Sequence, residues 1–242
     1  MEFEFKYKIG VDEINKRFEL TNKAIITLFQ NTASFHSDSI HYGIMDVLRT
    51  SLTWFLIDWK VKVIKRPKYG DVVTIKTWGR DFYKAFAHMD FELYVNHELY
   101  IKATSKWVLY NIKTKSYEEI PKELLDLYGN NTKRVFDGDL DHMEVLDNYS
   151  DKTKIAIRKS DLDFNNHVNN TKYFDYLNDY YDFDEFNDFR ITYRKEIKEN
   201  DIIYLCHEKI DNKDYYVILD NDNNIKTIIE GEIWTNLVIE QN

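Results

Sequence analysis

The sequence predicts an α+β fold built from two tandem copies of one unit, on three observations. A strand pattern, a helix pattern and a run of further strand patterns follow one another twice along the 242 residues. Residues 59–73 lie over 189–203 without gaps, so that Lys65 meets Lys195, Lys68 meets Lys198, Asp71 meets Asp201 and Val72-Val73 meets Ile202-Ile203. Aromatic residues make up 16% of the chain against 2 Pro and 7 Gly, which favours long strands and excludes disordered, collagen-like and proline-rich chains.

In residues 2–9, Phe3, Phe5, Tyr7 and Ile9 share one face and the charged residues the other, the alternation of a half-buried strand. Over 21–35 the period becomes helical. Ala24, Ile25, Leu28, Phe29 and Phe35 fall near one face, with Thr21 or Asn22 as the cap. A short helix is expected at 42–49, then strands at 52–64, 71–79, 84–95 and 98–110, with Asn96-His97 as a tight hairpin turn. The polar, acidic stretch 129–150 reads as a linker.

After it the pattern restarts: a strand at 152–158, then a helix at 169–181 with Tyr173, Tyr176, Leu177 and Tyr180 on one face. Strands follow at 188–197, 201–210, 214–220 and 225–239, divided by turn signals at Asp211-Asn212 and over 220–224. Trp107 and Trp234 occupy similar strands near the ends of the two copies. One long helix packed on a bent antiparallel sheet is the hotdog arrangement, in which helix and sheet each need an apolar partner. The expected architecture is a double hotdog, with one repeat over 1–128, the linker over 129–150 and the second repeat over 151–242.

Lys and Arg number 33 against 42 Asp and Glu, a net charge of −9, so bulk electrostatics oppose nucleic-acid binding. A single cysteine, Cys206, excludes a disulfide framework and a cysteine-based zinc site. The start has no apolar segment of a signal peptide, and no stretch approaches the ~20 apolar residues of a membrane span. The expectation is a cytoplasmic globular protein without a membrane partner.

Residues 160–173 hold the polar groups best suited to chemistry. Asp163, Asn165 and His167 alternate just before the second helix, so an extended backbone would point all three side chains the same way. A helix N-terminus beyond them offers free N–H groups and partial positive charge, which suit the oxyanion formed when a nucleophile attacks a carbonyl. Blander roles are available to the same residues: Asn169 and Asn170 as helix caps, and Asp163 with Asn165 as an Asx turn. His36, His41, His88, His97, His142 and His207 are isolated and read as ordinary polar residues.

The string Asp163-x-Asn165-x-His167-Val168-Asn169-Asn170-x-x-Tyr173 resembles the signature of the acyl-acyl-carrier-protein (acyl-ACP) thioesterases. Tyr193-Arg194-Lys195-Glu196 is similar to that family's Tyr-Arg-Arg-Glu segment, and 66–73 to its Tyr-Pro-x-Trp-Gly-Asp segment. The resemblance covers nearly the whole chain. It implies a double hotdog that hydrolyses the thioester joining a fatty acyl chain to ACP, with Asp163, Asn165, His167 and Glu196 as the catalytic residues. A cysteine placed directly after that glutamate is one view of the family's nucleophile. Here the position is Ile197, with Cys206 nine residues on, which leaves attack by water.

On that basis Glu196 is the expected general base, Asp163 and His167 its orienting partners, Asn165 a ligand for water or carbonyl, and the Val168 N–H an oxyanion donor. Glu196 acting as nucleophile is the open alternative. Neither a cofactor nor a metal is implied, since thioesters are already activated. Val168, Asn169, Asn170 and Tyr173 are the expected substrate contacts of the second copy. In the first copy, Leu28, Phe29 and Trp54 are expected to line the acyl pocket, together with Ala24, Leu52 and Leu56. Glu196 overlies Arg66, and no matching string precedes the first helix, so one copy is expected to carry the catalysis.

The expected partner is acyl carrier protein, itself acidic. Docking it would need a local basic patch, for which Lys60, Lys62, Lys65, Arg66 and Lys68, or Arg158, Lys159, Arg194, Lys195 and Lys198, are the candidates. A homodimer is left open. The rival readings are a hotdog hydrolase of acyl-CoA, a hotdog dehydratase and a catalytically silent acyl-binding module.

Overall fold

The computed structural model describes residues 1–233 other than 130, 139, 141 and 164. It divides into two compact units, Met1–His142 and Met143–Asn242. Strand Trp234 lies outside the described residues.

The first unit opens with β1 (Glu2–Lys8) and α1 (Asn22–Ser39). Thr21 caps α1: its hydroxyl accepts the Ala24 N–H at 3.1 Å, and its own backbone is extended. After a 3-10 turn (Ile44–Asp46) and α2 (Val47–Thr50) come β2 (Leu52–Val63), β3 (Val72–Tyr83), β4 (Phe86–Val95) and β5 (Glu98–Asn111). Asn96 and His97 both have positive φ, 49° and 67°, as the two-residue turn between twisted strands requires. A short β6 (Ser116–Tyr117) and α3 (Lys122–Tyr128) close the unit. Their sequence carries too few periodic positions to announce them.

All strands of this unit pair antiparallel in the order β1-β3-β4-β5-β2, with β6 on β5. The apolar face of α1 lies on this sheet through Phe29, whose ring sits 6.0 Å from Trp59 and 5.2 Å from Phe91. All three are fully buried. Of the polar stretch 129–150, residues 131–136 lie against the same sheet. Trp78 Nε1 donates to Lys133 O at 2.9 Å, Val135 N to Asp90 Oδ2 at 3.1 Å and Lys102 Nζ to Val135 O at 2.7 Å.

The second unit contains β7 (Asp151–Ile155), a 3-10 turn (Lys159–Asp161), α4 (Lys172–Asn178) and a 3-10 turn (Phe183–Glu185). It ends with β8 (Asp188–Tyr193), β9 (Ile203–Ile210), β10 (Lys213–Asp220) and β11 (Ile225–Glu232). Its strand order is β7-β9-β10-β11-β8, again all antiparallel. Replacing β1, β3, β4, β5 and β2 in turn by these strands gives the same topology, so the repeat seen in the sequence is a repeat of fold.

The second helix is shorter than expected, 7 residues rather than the span 169–181. At its start the Asn169 side chain accepts both the N–H and the hydroxyl of Thr171, which holds the chain in a turn until Lys172. At its end Asn178, Asp179 and Asp182 are poor helix formers, and the chain turns to bury Phe183 and Phe186 beside Tyr216. Tyr180 therefore falls outside the helix and is half exposed.

Candidate functional site

The segment before α4 is a closed loop, where alternation suggested an extended strand. Asp163 N donates to His167 O at 2.8 Å, and Asn166 N to Asp163 O at 3.0 Å. The Asp163 side chain accepts from Asn165 N at 2.8 Å and His167 N at 3.2 Å through one oxygen, Oδ1. Asn166 reaches the left-handed region with φ 59°, which Asn tolerates better than most residues. Asp163 and His167 are neighbours because the loop closes on itself. Asn165 stands exposed at its tip.

The loop is clipped to the stretch that carries Glu196. Val168 N donates to Ile197 O at 2.8 Å, and His167 bridges Lys198 in antiparallel fashion. That bond occupies the Val168 N–H and withdraws it as an oxyanion donor. Glu196 lies just past the end of β8, because Arg194 N and Lys195 N both turn to Lys226 O at 2.8 and 3.1 Å. Its carboxylate Oε1 is 3.7 Å from His167 Nε2 and 3.1 Å from Lys198 Nζ. The Glu196 side chain keeps 54% of its exposure, enough to hold a water molecule.

Beneath the loop, Asp161 is buried and accepts from Arg158 N at 2.8 Å and the Tyr176 hydroxyl at 2.9 Å. Burial works to raise its pKa, and these hydrogen bonds outweigh it, so the carboxyl lies below the usual range. Tyr173 is buried, which pushes its hydroxyl upward, and it packs edge-on against Tyr193 at 5.2 Å. Tyr193 in turn donates to Asn170 O at 2.9 Å. Asn169 holds Thr171, as a capping reading allowed.

The other expected residues lie in the first unit. Leu28 and Phe29 belong to the buried face of α1, and Trp54 stands edge-on to Tyr128 at 6.3 Å. Cys206 is buried on β9, where burial raises its thiol pKa, so it is no ready nucleophile. Much of the basic run on the first unit is spent internally. Lys60 lies over the Phe136 ring, Lys65 pairs with Glu98, and Arg66 donates to Leu20 O and Asn22 Oδ1.

The first unit contains the same loop with different side chains. Asn15 Oδ1 accepts from Arg17 N at 2.8 Å and Glu19 N at 3.2 Å, and Asn15 N donates to Glu19 O. Phe18 has φ 60°, and Leu20 N donates to Pro67 O at 2.9 Å. Asn15, Arg17, Glu19 and Arg66 thus stand where the second unit has Asp163, Asn165, His167 and Glu196. The sequence hid this because what recurs is the backbone bonds and one Asx side-chain acceptor, Asn15 in place of Asp163, while the other side chains differ. It also confines the acid–base set to the second unit.

Lys198 and Lys226 are the groups that sequence reasoning had not tied to Glu196. Lys198 is two residues on in an extended stretch, hence on the same side, and that spacing could have found it. Lys226 comes from β11 and has no such signal.

Two units whose strands pair antiparallel in one topology, each with a helix entering from a closed loop, define a tandem hotdog protein. The acyl-ACP thioesterase N-terminal domain matches residues 1–128 and the acyl-ACP thioesterase C-terminal domain residues 145–236, so the chain belongs to the acyl-ACP thioesterase family. An acyl-ACP thioesterase from Bacteroides thetaiotaomicron has the same fold, with a TM-score of 0.85 at 16% identity, covering 96% of this chain and 97% of that one. The 12:0-ACP thioesterase of Umbellularia californica gives 0.81 at 20%, covering 96% of each.

Among sequences, a chloroplastic acyl-(acyl-carrier-protein) hydrolase of Cuphea viscosissima is 25% identical over 217 residues, 81% of this chain and 51% of its own length. A chloroplastic oleoyl-ACP thioesterase of Arabidopsis thaliana is 24% identical over 226 residues, 84% and 62%. The chain thus spans between about half and three-fifths of these curated relatives.

Proposed function

We propose that this chain hydrolyses acyl thioesters, with fatty acyl-ACP as substrate and free fatty acid and ACP as products. The observation that carries this is the Glu196 carboxylate, exposed and set 3.7 Å from His167 Nε2 on a loop that Asp163 closes. Family membership and the names of the relatives supply the substrate class.

In the reaction, Glu196 takes a proton from water as the oxygen attacks the thioester carbonyl carbon. The tetrahedral intermediate collapses with cleavage of the C–S bond, and Glu196 returns the proton to the leaving sulfur. General-base help of this kind is worth about 10²–10⁴-fold. Lys198 holds the carboxylate by charge, His167 faces it at 3.7 Å, and Asp163 holds His167 by its amide. In this reading Asn165, exposed at the loop tip, hydrogen-bonds water or carbonyl. With the Val168 N–H occupied, the Asn165 side chain is the oxyanion donor that this reading favours.

ACP docks by charge complementarity, with Arg158, Lys159, Lys195 and Lys198 nearest the loop in sequence. A cytoplasmic place in fatty-acid synthesis, ending elongation, fits this reaction.

The test is release of free fatty acid from acyl-ACPs of several lengths, beside matched acyl-CoAs and Glu196→Ala protein. Turnover of the ACP series that the substitution reduces by two or more orders of magnitude supports the reading, and absence of turnover on either carrier overturns it. Single turnover in ¹⁸O-water separates base from nucleophile, since label entering Glu196 itself would mark an acyl-enzyme anhydride.

A further inference from the structure

We propose that Lys226 is a positioning residue for Glu196, an inference that rests on the reaction proposed above. Lys226 grips the Glu196 stretch from two directions. Its carbonyl accepts the N–H groups of Arg194 and Lys195, which ends β8 and turns the chain. Its ammonium donates to the carbonyl oxygen of Glu196 itself at 3.3 Å. Three successive residues are thus referred to one residue of β11.

The ammonium is in turn fixed by carboxylates. Asp201 Oδ2 lies 3.4 Å and Asp220 Oδ2 3.6 Å from Nζ, and the Lys226 side chain keeps only 12% of its exposure. Asp201 also accepts Lys198 N, so the same carboxylate steadies the residue that faces Glu196 from the other side. Asp220 is held by the turn it caps, accepting from Asp222 N and Asn224 N. A charge-assisted network of this kind is stiffer than neutral contacts.

The first unit supplies the control. There Ile64 N and Lys65 N turn to Tyr100 O at 2.8 and 3.0 Å, the same backbone device. A tyrosine stands in place of Lys226, and Arg66 in place of Glu196. The backbone turn therefore needs no lysine. The ammonium occurs where a carboxylate has to be set against His167.

The experiment compares wild type with Lys226→Met, Lys226→Arg and Lys226→Tyr, the last carrying the residue that the same turn accommodates in the first unit. Steady-state kcat and KM are measured on a soluble acyl thioester, with circular dichroism and Tm as folding controls. Expected are a kcat lower by about 10- to 100-fold in the Met and Tyr variants, a KM within about twofold, and substantial recovery of kcat with Arg. An unchanged kcat, a loss confined to KM, a loss that follows unfolding in the Tyr variant, or an Arg variant no better than Met overturns the assignment. A wild type inactive on every thioester would instead overturn the proposed reaction, so the two failures are distinct.

Discussion

At the scale of single residues, His36 shows what burial does to a titratable group. It is fully buried near the end of α1, stacked on Phe3 at 5.4 Å and edge-on to Tyr128 at 5.1 Å, and neither ring nitrogen has a hydrogen-bond partner among the described residues. That corrects the reading of His36 as an ordinary polar residue. Burial, and then the nearby N-terminal ammonium, lower its pKa to about 4. The unfolded chain takes up a proton near pH 6.5, before the folded one does. Stability from this residue is therefore complete above that pH and is lost as pH falls toward 4, by about 3 kcal/mol over the interval. Urea unfolding at a series of pH values should show this slope in wild type, and His36→Phe, which keeps the stacking, should flatten it. Glu196 and Lys226 illustrate a different residue-scale lesson: the first was legible as a motif position, while the second owes its place to a contact between stretches 30 residues apart.

At the scale of elements, strand positions and the first helix were legible because alternation and the 3.6-residue period are written in consecutive residues. The second helix was misjudged in length because side-chain bonds from Asn169 compete with the helix start, and periodicity does not register such bonds. Close approach between elements is equally invisible in the sequence. Gly231 on β11 faces the Phe186 ring, and a Cβ there would stand 2.7–2.9 Å from three ring carbons. Phe186 is buried against Phe183 and Tyr216 and has nowhere to move. Gly231→Ala should cost about 1–3 kcal/mol, read as a lower urea midpoint with an unchanged slope. Gly138, by contrast, has open space where a Cβ would go, although its φ of 79° still favours glycine.

At the scale of the whole molecule, duplication sets one frame twice. Two copies share topology and loop, and the Asp163, Asn165, His167 and Glu196 set stands in one of them. In the first unit, part of the polar stretch after α3 also serves the fold. Arg80 and Asp90 form a buried ion pair at 2.9 Å on the sheet, and the outer Asp90 oxygen accepts Val135 N from residues 131–136. Arg134 of the same stretch pairs with Asp81 at 2.7 Å. Asp90→Ala would leave the buried Arg80 guanidinium to Asp81 and Thr104 and would remove one of the anchors of the stretch, the acceptor of Val135 N. The expected cost is about 1–3 kcal/mol, with faster tryptic cleavage after Lys133 and Arg134 in the folded protein. A variant as stable and as protease-resistant as wild type would refute this account.

The sequence by itself determined the two-copy hotdog fold, the family and the segment in which a site should be sought. These depend on local periodicity and on short motifs, whose information lies in neighbouring residues. The tertiary structure decided the rest. It closed the Asp163 loop on itself, spent the Val168 N–H on Ile197 and set Lys198 and Lys226 around Glu196. It also revealed the matching loop at Asn15–Glu19, where Asn15 Oδ1 accepts as Asp163 Oδ1 does and hydrogen bonds between main-chain groups repeat. Such bonds join any residue types, so they leave no trace in composition or pattern until the chain has folded.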